Sequence, residues 1–416
     1  MKNEKSPAEL LQEREKRVMD AVALKIPDRV PIIPAFAFFP AKYTGVTCED
    51  AFFNPPKWKE ACKKVLIDYE PDLWQFASVL PGPVMQILGC KQVLLPGHGT
   101  SPYHTHQFVE GEYMTAGEWE AFKRDPGDLA IRTYVPRVFE KLQILQELPP
   151  LDDLVTGGGV AGVLDYFTRP EFIEAFDVII QAGEAMAKWR VEMGTFGKDF
   201  AELGFAAYSG AATQAPFDLI TDFMRGMRGS MLDLYRHPDE LLEACEIFTP
   251  LLIERTIAMA KVSGNPRVFI PLHRGAEGFM SLKQFEKFYW PTLKKVLLAL
   301  IDAGLTPAPF FEGGYTTRLE YLLDLPKGKI IGHFDTTDIF KAKQIIGNHI
   351  CIRGDMPPSL LQTGTPEQIK DYTKKLIDVV GKDGGYIMST RGSLDEAEPE
   401  LVRIWVDFTK EYGIYR

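Results

Sequence analysis

Four apolar stretches in the second half of the chain each end in a residue whose side chain can bind a metal or transfer a proton. They are His273 in FIPLHRG, Glu312 in PFFEGG, His333 in IIGHFD and Asp355 in CIRGD. Imidazole and carboxylate groups are the ligands that suit zinc where thiolates are absent. The pattern predicts a zinc site, with Glu312 and His333 as the strongest pair and His273 as the next ligand.

A fifth polar residue, Arg391 in MSTRGS, follows the next apolar stretch. We expect Asp355 and Arg391 to join Glu312 and His333 as catalytic residues. Asp355, together with Asp335 and Glu277, is also a reserve ligand or a hydrogen-bonding partner of the ligands. A single polar residue at a strand end more commonly serves as a cap. The zinc prediction therefore depends on finding several of them at consecutive strand ends.

Two other groups of metal-binding residue types favour a structural interpretation. His104 and His106 form an H-x-H pair in a stretch broken by glycines, where we expect a surface or lid position. The five cysteines are scattered and contain no C-x-x-C pair, which indicates buried free thiols and neither a disulfide framework nor a cysteine-rich zinc module.

The polar residues can act together only if the fold brings the ends of their strands to one place. Strand-like runs at residues 29–39 and 71–78 and, in the second half, from residues 200–210 onward alternate with helical patterns of 3.6-residue period, and about eight such units fit along the chain. This predicts an α/β fold, a (β/α)8 TIM barrel over residues 1–416 as a single domain, with N-terminal helices. A hairpin insertion is expected within residues 91–117. A doubly wound sheet is the alternative, but no G-x-G-x-x-G motif opens a helix.

The overall composition narrows the classes of partner that the protein can be expected to bind. The 416 residues carry a formal net charge of −10, which argues against a nucleic-acid-binding protein. The N-terminal stretch is charged from its start, and no run of about 18 apolar residues suggests a membrane span. We therefore expect a cytoplasmic protein with no membrane or nucleic-acid partner. The sequence leaves open whether it forms a homo-oligomer.

Aromatic residues lie near two of the predicted strand ends. Phe, Tyr and Trp are abundant, at 27, 15 and 6 residues. The clusters around PAFAFFP and PFFEGGY predict an aromatic pocket for the substrate. The residues expected to line it are Phe36, Phe38, Phe39, Phe311 and Tyr315.

The end of the chain resembles a known superfamily. The motifs RGDMPP, SLL, GTPEQ, GGYI and a glycine-containing last loop in residues 353–408 resemble the end of the uroporphyrinogen decarboxylase superfamily, and RVMDAVALKIPDRVPIIP resembles its N-terminal opening. The resemblance implies one (β/α)8 barrel. Its porphyrin decarboxylases carry an arginine-rich RQAGRY after the first strand and a Gly-His-Gly in the last loop. Here those places read AFAFFPAKY and TRG, so porphyrin decarboxylation is not expected.

The superfamily also contains cobalamin-dependent methyltransferases. Those that act on coenzyme M carry a zinc-binding His-x-Cys where this chain has Phe310 and Glu312, and a late Cys near Arg391. The Glu312 and His333 pair is instead similar to the substrate-side methyltransferases of anaerobic O-demethylase systems, which use Glu and His as zinc ligands. This resemblance implies transfer of a methyl group from an aryl methyl ether, of guaiacol or veratrol type, to cobalt(I). The chain has no D-x-H-x-x-G motif, so the corrinoid (cobalamin) must come from a separate corrinoid protein.

Other functions remain open at this point. A methyltransferase of the same kind can act on methylamines, betaines or methanol. A metal-dependent decarboxylase or hydrolase of the same superfamily is a second alternative. The third is a non-catalytic scaffold that binds the corrinoid partner, and metal analysis separates it because a scaffold needs no zinc.

Overall fold

The computed structural model describes residues 5–415, except for the side chain of residue 153. The strands, in chain order, are β1 (Leu73–Trp74), β2 (Val93–Pro96), β3 (Gly99–Thr100), β4 (Gln107–Phe108), β5 (Ala206–Ala207), β6 (Ala211–Ala212), β7 (Arg267–Leu272), β8 (Thr306–Phe311), β9 (Ile331–Phe334), β10 (Cys351–Met356) and β11 (Tyr386–Thr390).

Helices connect and surround these strands. The α-helices are α1 (Pro7–Val22), α2 (Phe39–Thr44), α3 (Cys48–Phe53), α4 (Pro55–Tyr69), α5 (Gly82–Leu88), α6 (Trp119–Arg124), α7 (Pro126–Leu129), α8 (Val135–Val138), α9 (Gly157–Val163), α10 (Pro170–Ala201), α11 (Pro216–Phe223), α12 (Gly226–Arg236), α13 (Pro238–Ser263), α14 (Leu282–Gln284), α15 (Trp290–Asp302), α16 (Ile339–Ile346), α17 (Pro358–Thr363), α18 (Pro366–Val379) and α19 (Pro399–Tyr412). Shorter 3-10 or π-helical segments lie at Ala116–Glu118, Ala130–Tyr134, Glu140–Glu147, Leu151–Val155, Tyr166–Thr168, Phe285–Tyr289 and Thr316–Asp324.

The strands form a ring of parallel neighbours. β6 to β11 pair in chain order as one parallel sheet. Next to β11, residues 31–33 run parallel to it and form backbone hydrogen bonds with Met388. The Asp72 amide in turn donates to the Ile32 carbonyl at 2.9 Å. β1 follows Asp72 directly and pairs with β5, which leads into β6. The predicted α/β fold is confirmed, and the ring has the order of a (β/α)8 barrel with one side closed by short bridges.

Two prolines limit the pairing of β8. The Thr306 and Glu312 amides both donate toward β7, so Pro307 and Pro309, at odd positions between them, face β9. Because proline has no N–H, it cannot donate to a ladder on that side. β9 accordingly pairs only with Phe310 and Phe311, at the end of β8. This pairing fixes which residues lie level with one another at the site.

The first half of the barrel is less regular than its sequence predicts. The strand expected over residues 29–39 is reduced to isolated bridges, and α2 begins at Phe39. Pro31 and Pro34 remove two of its backbone donors. The strand expected over residues 71–78 is only two residues long, and α10 continues to Ala201 through the start of another predicted strand run. The hairpin insertion is confirmed by the antiparallel pairing of β2 with β4.

One end of the barrel is closed by α1. This helix begins at a capping box made by Ser6 and Glu9. Its Val18 and Ala21 are fully buried and pack with barrel residues that include Ile33 and Ile331. The other end of the ring, where the parallel strands have their carboxyl ends, is left for the loops that carry polar residues.

Asp72 ties α1 to the ring. Its carboxylate is fully buried and accepts hydrogen bonds from Arg17 at 2.6 Å, from Arg29 at 2.8 Å and from the Ile32 amide at 2.7 Å. Among the residues that the structure describes, no helix is both long enough and apolar enough to cross a membrane.

We predict that Asp72→Ala lowers the free energy of unfolding by about 3–5 kcal/mol, because it takes the buried carboxylate away from Arg17 and Arg29, leaves Arg17 with only Glu13 and Asp28, and leaves the Ile32 amide without its acceptor. Asp20→Ala is the matched control, since Asp20 pairs with the exposed Lys16 on the surface of α1 and contributes below about 1 kcal/mol. Urea denaturation of both variants measures the difference. Equal destabilisation by the two substitutions would contradict the role given to Asp72.

Candidate functional site

The centre of the site is His273, the first residue after β7. Its Nδ1 lies 2.5 Å from Asp222 Oδ2, and its Nε2 lies 3.5 Å from Glu312 Oε1. Leu272 and Phe311 are register partners in β7 and β8, so the next residues of the two strands, His273 and Glu312, are neighbours. The in-register pairing of two strands therefore brings these two predicted residues together.

The helix α11 supplies the acidic residues that hold His273 in place. Asp218 and Asp222 are one helical turn apart and face the same side. The buried Asp218 accepts hydrogen bonds from the amides of His273 and Arg274, both at 3.0 Å, and from the Tyr289 hydroxyl at 2.7 Å. Asp218 thus fixes the backbone after β7, while Asp222 orients the imidazole ring.

The charges at this site are strongly coupled. Burial lowers the pKa of His273, but the hydrogen bond with Asp222 and the nearby Glu312 outweigh it and raise the pKa to about 10. Burial and the negative charge of Asp222 raise the pKa of Asp218 to about 6. An imidazolium between two carboxylates is therefore the favoured state near neutral pH. The two carboxylates require a positive charge between them.

His333 does not lie beside Glu312, contrary to the prediction that they form the main ligand pair. Its register partner is Phe310, on which its ring stacks at 4.4 Å, so the residue level with Glu312 is Asp335. His333 is buried, and its Nε2 donates to the Thr390 carbonyl at 2.7 Å. Its Nδ1 therefore keeps the lone pair and has no protein partner within residues 5–415. Burial and the charge of Arg353 lower the pKa of His333 well below its usual value.

Asp335 was expected only as a reserve ligand, yet it follows β9 directly and is the residue level with Glu312. It accepts a hydrogen bond from the Gly313 amide at 3.0 Å. Burial raises its pKa, and the charge of Glu312 adds to the effect. In the part of the chain that the structure describes, no three His, Cys, Asp or Glu side chains are already grouped to hold a metal ion. Two ligand candidates, His273 and Glu312, converge, and the third predicted one does not.

Asp355 and Arg391 form a separate network. Asp355 accepts from the Tyr372 hydroxyl at 2.9 Å and pairs with Arg391 at 3.1 Å. Burial raises the pKa of Asp355 to about 6 despite these partners. Both residues are at strand ends as expected, but they contact each other and not His273. Their arrangement fits a structural clamp between β10 and β11.

A cavity of about 910 Å³ opens beside His273. Its walls are aromatic and include Phe38, Phe76, Phe108, Phe223, Phe269 and Phe310. His333, Gln75 and Thr213 contribute polar atoms, and Asp222 and His273 lie on the same cavity. Such a space fits a ring-sized apolar ligand with a few polar groups.

The predicted pocket residues divide between wall and core. Phe38 lies on the cavity wall. Phe36, Phe39, Phe311 and Tyr315 do not: all four belong to the main buried core cluster, and the prediction that they line the pocket is wrong. On β8 the reason is strand alternation, because Phe311 points outward against Phe334 while Glu312 and Phe310 point inward.

Some residues of the site were not found by sequence reasoning. Asp218 and Asp222 lie in FDLITDF, where a four-residue spacing on an apolar helix was the available signal. His106 of the insertion was expected at the surface or in a lid, but it lies on the cavity wall against Phe38, with ring centroids 6.3 Å apart. Burial lowers the pKa of His106.

We predict that Phe223→Ala weakens binding of guaiacol about tenfold, because it removes an aromatic wall of the cavity while leaving most of the core intact. Phe36→Ala is the comparison: this fully buried ring packs on Phe39, Tyr69 and Phe76, and its loss costs about 3–5 kcal/mol of folding stability. Calorimetric titration and thermal melts measure the two effects. Unchanged guaiacol binding by Phe223→Ala would show that the cavity is not the ligand site.

Comparison with known proteins supports the fold and identifies the family. The chain is similar to a solved methyltransferase from Methanosarcina mazei, with a TM-score of 0.61, 14% sequence identity, and coverage of 96% of this chain and 98% of that one. At this identity the likeness concerns the fold.

Sequence relatives cover shorter stretches. Uroporphyrinogen decarboxylase of Syntrophotalea carbinolica is 28% identical over 131 residues, which are 31% of this chain and 37% of that protein. The enzyme of Chlorobaculum parvum is 32% identical over 183 residues, 43% of this chain and 51% of that protein. The matches thus span about half or less of these relatives. A family model described as Uroporphyrinogen decarboxylase (URO-D) matches residues 201–412, half of the chain, which includes β5 to β11 and the residues around His273. The chain belongs to the uroporphyrinogen decarboxylase (URO-D) family.

Proposed function

We propose that this protein is a methyltransferase that moves the methyl group of an aryl methyl ether to the cobalt(I) of a separate corrinoid protein. The observation that carries the proposal is the position of His273, which has a carboxylate at each ring nitrogen and lies on an aromatic cavity. The structural likeness to a methyltransferase adds support at the level of the fold.

His273 and Glu312 fit two ligands of a zinc ion. Ligand atoms at about 2.0–2.2 Å from a tetrahedral zinc are about 3.4 Å apart, and His273 Nε2 and Glu312 Oε1 are separated by 3.5 Å. The bond between Asp222 and His273 Nδ1 is the arrangement that commonly orients a zinc-bound histidine. We therefore assign the metal to His273 and Glu312, and no longer to Glu312 and His333.

When bound, zinc would act as a Lewis acid that stabilises the negative charge developing on the phenolic oxygen of the leaving group. The O–CH3 bond breaks with its electron pair left on that oxygen, and the cobalt(I) acceptor supplies the pair for the new bond to the methyl carbon. No oxidant or reductant is consumed in this step.

The residues of the chain itself bind and orient the substrate. The aromatic walls hold the ring and exclude water, while Phe310 and His333 form a stacked floor beneath it. Asp218 keeps the loop after β7 in place, and Asp222 keeps His273 Nε2 turned toward Glu312. These contacts fix the ether oxygen near the mouth of the cavity, where an external acceptor can approach the methyl group.

Porphyrin decarboxylation is a poorer fit, although sequence relatives carry that name. A porphyrin rimmed with carboxylates needs cationic side chains. The segment after the first barrel strand, residues 35–43, instead contributes Phe38 to the cavity and buries Phe36 and Phe39 in the core.

The test is demethylation of guaiacol with and without a corrinoid protein reduced to cobalt(I). We predict catechol and a methylated cobalt spectrum only when zinc-loaded protein and corrinoid protein are both present. Glu312→Gln should lose at least about a hundredfold in rate, because loss of a metal ligand costs no less than the roughly 10–100-fold lost with a residue that only supports a ligand. Glu320→Gln is the matched control, because Glu320 is exposed and lies outside the site.

Two outcomes would redirect the proposal. Catechol formation without any corrinoid would rule out methyl transfer to cobalt. Failure with methoxyaromatics but success with a methylamine or betaine would keep the reaction type and change the substrate class, because a cationic donor also suits an aromatic cavity with acidic residues.

A further inference from the structure

Arg353 is a fully buried cation inside the barrel. It lies in the middle of β10, level with His333 on one side and Ile387 on the other. Its side chain reaches across the ring, because Nη2 donates to the Ile33 carbonyl at 3.0 Å and to the Gln75 side chain. The guanidinium therefore lies within the ring of strands and not between barrel and helices.

The charge of Arg353 is not balanced by any carboxylate. Its Nε and Nη1 have no hydrogen-bond acceptor among the described residues, and no salt bridge to it is found there. The ring of Tyr208, 4.2 Å from the guanidinium carbon, offsets part of the charge. Burial lowers the pKa of Arg353, which reflects how poorly this cation is solvated.

Four of the five other buried arginines among the described residues have a carboxylate within 4 Å, and the fifth, Arg14, donates to the Gly204 carbonyl and lies over the Phe205 ring. Arg17 pairs with Asp72, Arg225 pairs with Asp233, and Arg267 pairs with Glu15. A buried charge is costly unless it is paired, so an unpaired guanidinium in the same protein calls for a separate explanation.

Arg353 lies directly behind the floor of the cavity. The side-chain oxygen of Gln75 accepts a hydrogen bond from Arg353 Nη2, and Gln75 lines the cavity. His333, the register neighbour of Arg353, lines it too. Thr213 also lines the cavity. The hydroxyl groups of Thr213 and Tyr208 both lack a hydrogen-bond partner within the described chain. Unsatisfied polar atoms thus collect beneath the cavity, whose lining is mostly apolar but also includes the charged residues Glu110, Asp222, Arg255 and Arg274.

We propose that Arg353 is an anion receptor at the cavity floor, which binds a carboxylate carried by the substrate once the Gln75 side chain turns aside. This inference rests on the proposed function and narrows its substrate class to methoxylated aromatic carboxylic acids. A carboxylate meta or para to the ether oxygen supplies the charge that Arg353 lacks, and its two oxygens match the planar guanidinium.

The spacing of the two ends of the site agrees with such a ligand. Glu312 lies two residues beyond Phe310, the register partner of His333, which corresponds to a rise of about 6.6 Å along the strand. Arg353 lies on the level of His333. A benzene ring that carries an ether oxygen and, meta or para to it, a carboxylate bridges these two levels.

The test compares two ligands that differ only in the carboxylate, vanillate and guaiacol, by calorimetric titration of the zinc-loaded protein at pH 7. The wild type should bind vanillate at least tenfold more tightly than guaiacol. Arg353→Met should remove that advantage while leaving guaiacol binding unchanged. It should not lower the melting temperature of the ligand-free protein, because it replaces an unpaired buried cation by an apolar side chain of similar size.

Several outcomes would overturn the inference. One is equal affinity of the wild type for the two ligands. Another is a loss of stability in Arg353→Met with equal weakening of both ligands, which would make Arg353 a structural residue. If formate or chloride stabilises the wild type against heat and vanillate has no advantage over guaiacol, the receptor holds an inorganic anion and not substrate. If Arg353→Met fails to fold, two other measurements decide the question. They are the wild-type comparison of the two ligands and the vanillate affinity of Arg353→Lys, which should be weaker than that of the wild type.

The inference and the proposed function can fail separately. Tight, Arg353-dependent binding of vanillate without demethylation by cobalt(I) corrinoid protein would sustain the receptor and refute methyl transfer. Demethylation of guaiacol with no preference for vanillate in binding or rate would sustain methyl transfer and refute the receptor.

Discussion

The arrangement of the whole site depends on the contact of His273 with Asp222 on one ring nitrogen and its approach to Glu312 on the other. These two carboxylates favour a positive charge between them, which is the proton on His273 or, under the proposed function, a metal ion. Asp218 holds the backbone on which this geometry rests. The helix α11 therefore fixes the direction of the His273 imidazole, which its position at the end of β7 does not determine.

Strand register then divides the barrel interior into two levels. His273 and Glu312 lie at the upper level, where the loops meet, while His333 and Arg353 lie one step deeper. The upper level carries the negative charge and the lower level carries a positive one. Under the proposed function, a substrate that spans both levels would be held at two ends, and this polarity would give the ligand a preferred orientation in the cavity.

The sequence predicted the parallel strands of the second half and the polar residues at their ends, because period, glycine and proline are local signals. It could not assign levels within the barrel. His333 and Glu312 both follow apolar residues, and only the β8–β9 pairing, shortened by Pro307 and Pro309, shows that they differ by two residues in depth. The strands of the first half were overestimated for a similar reason: apolar β-like stretches rich in proline make bridges instead of ladders.

The aromatic residues show the same limit. PAFAFFP and PFFEGGY predicted an aromatic environment correctly. On β8, alternation sends Phe311 into the core and leaves Phe310 on the cavity, whereas Phe36 and Phe38 separate where the chain turns into α2. The two aspartates of α11 were missed because their four-residue spacing shows that they share one face of a helix but not that this face packs beside the end of β7.

The central claim is that His273 and Glu312, and not His333, hold the metal. The most direct measurement is the zinc content, by elemental analysis, of protein purified without chelator, for the wild type and for His273→Gln, Glu312→Gln and His333→Gln. The account predicts about one zinc per chain in the wild type and in His333→Gln, and loss of most of it in the other two variants. Full zinc retention in His273→Gln and Glu312→Gln, with loss in His333→Gln, would contradict it.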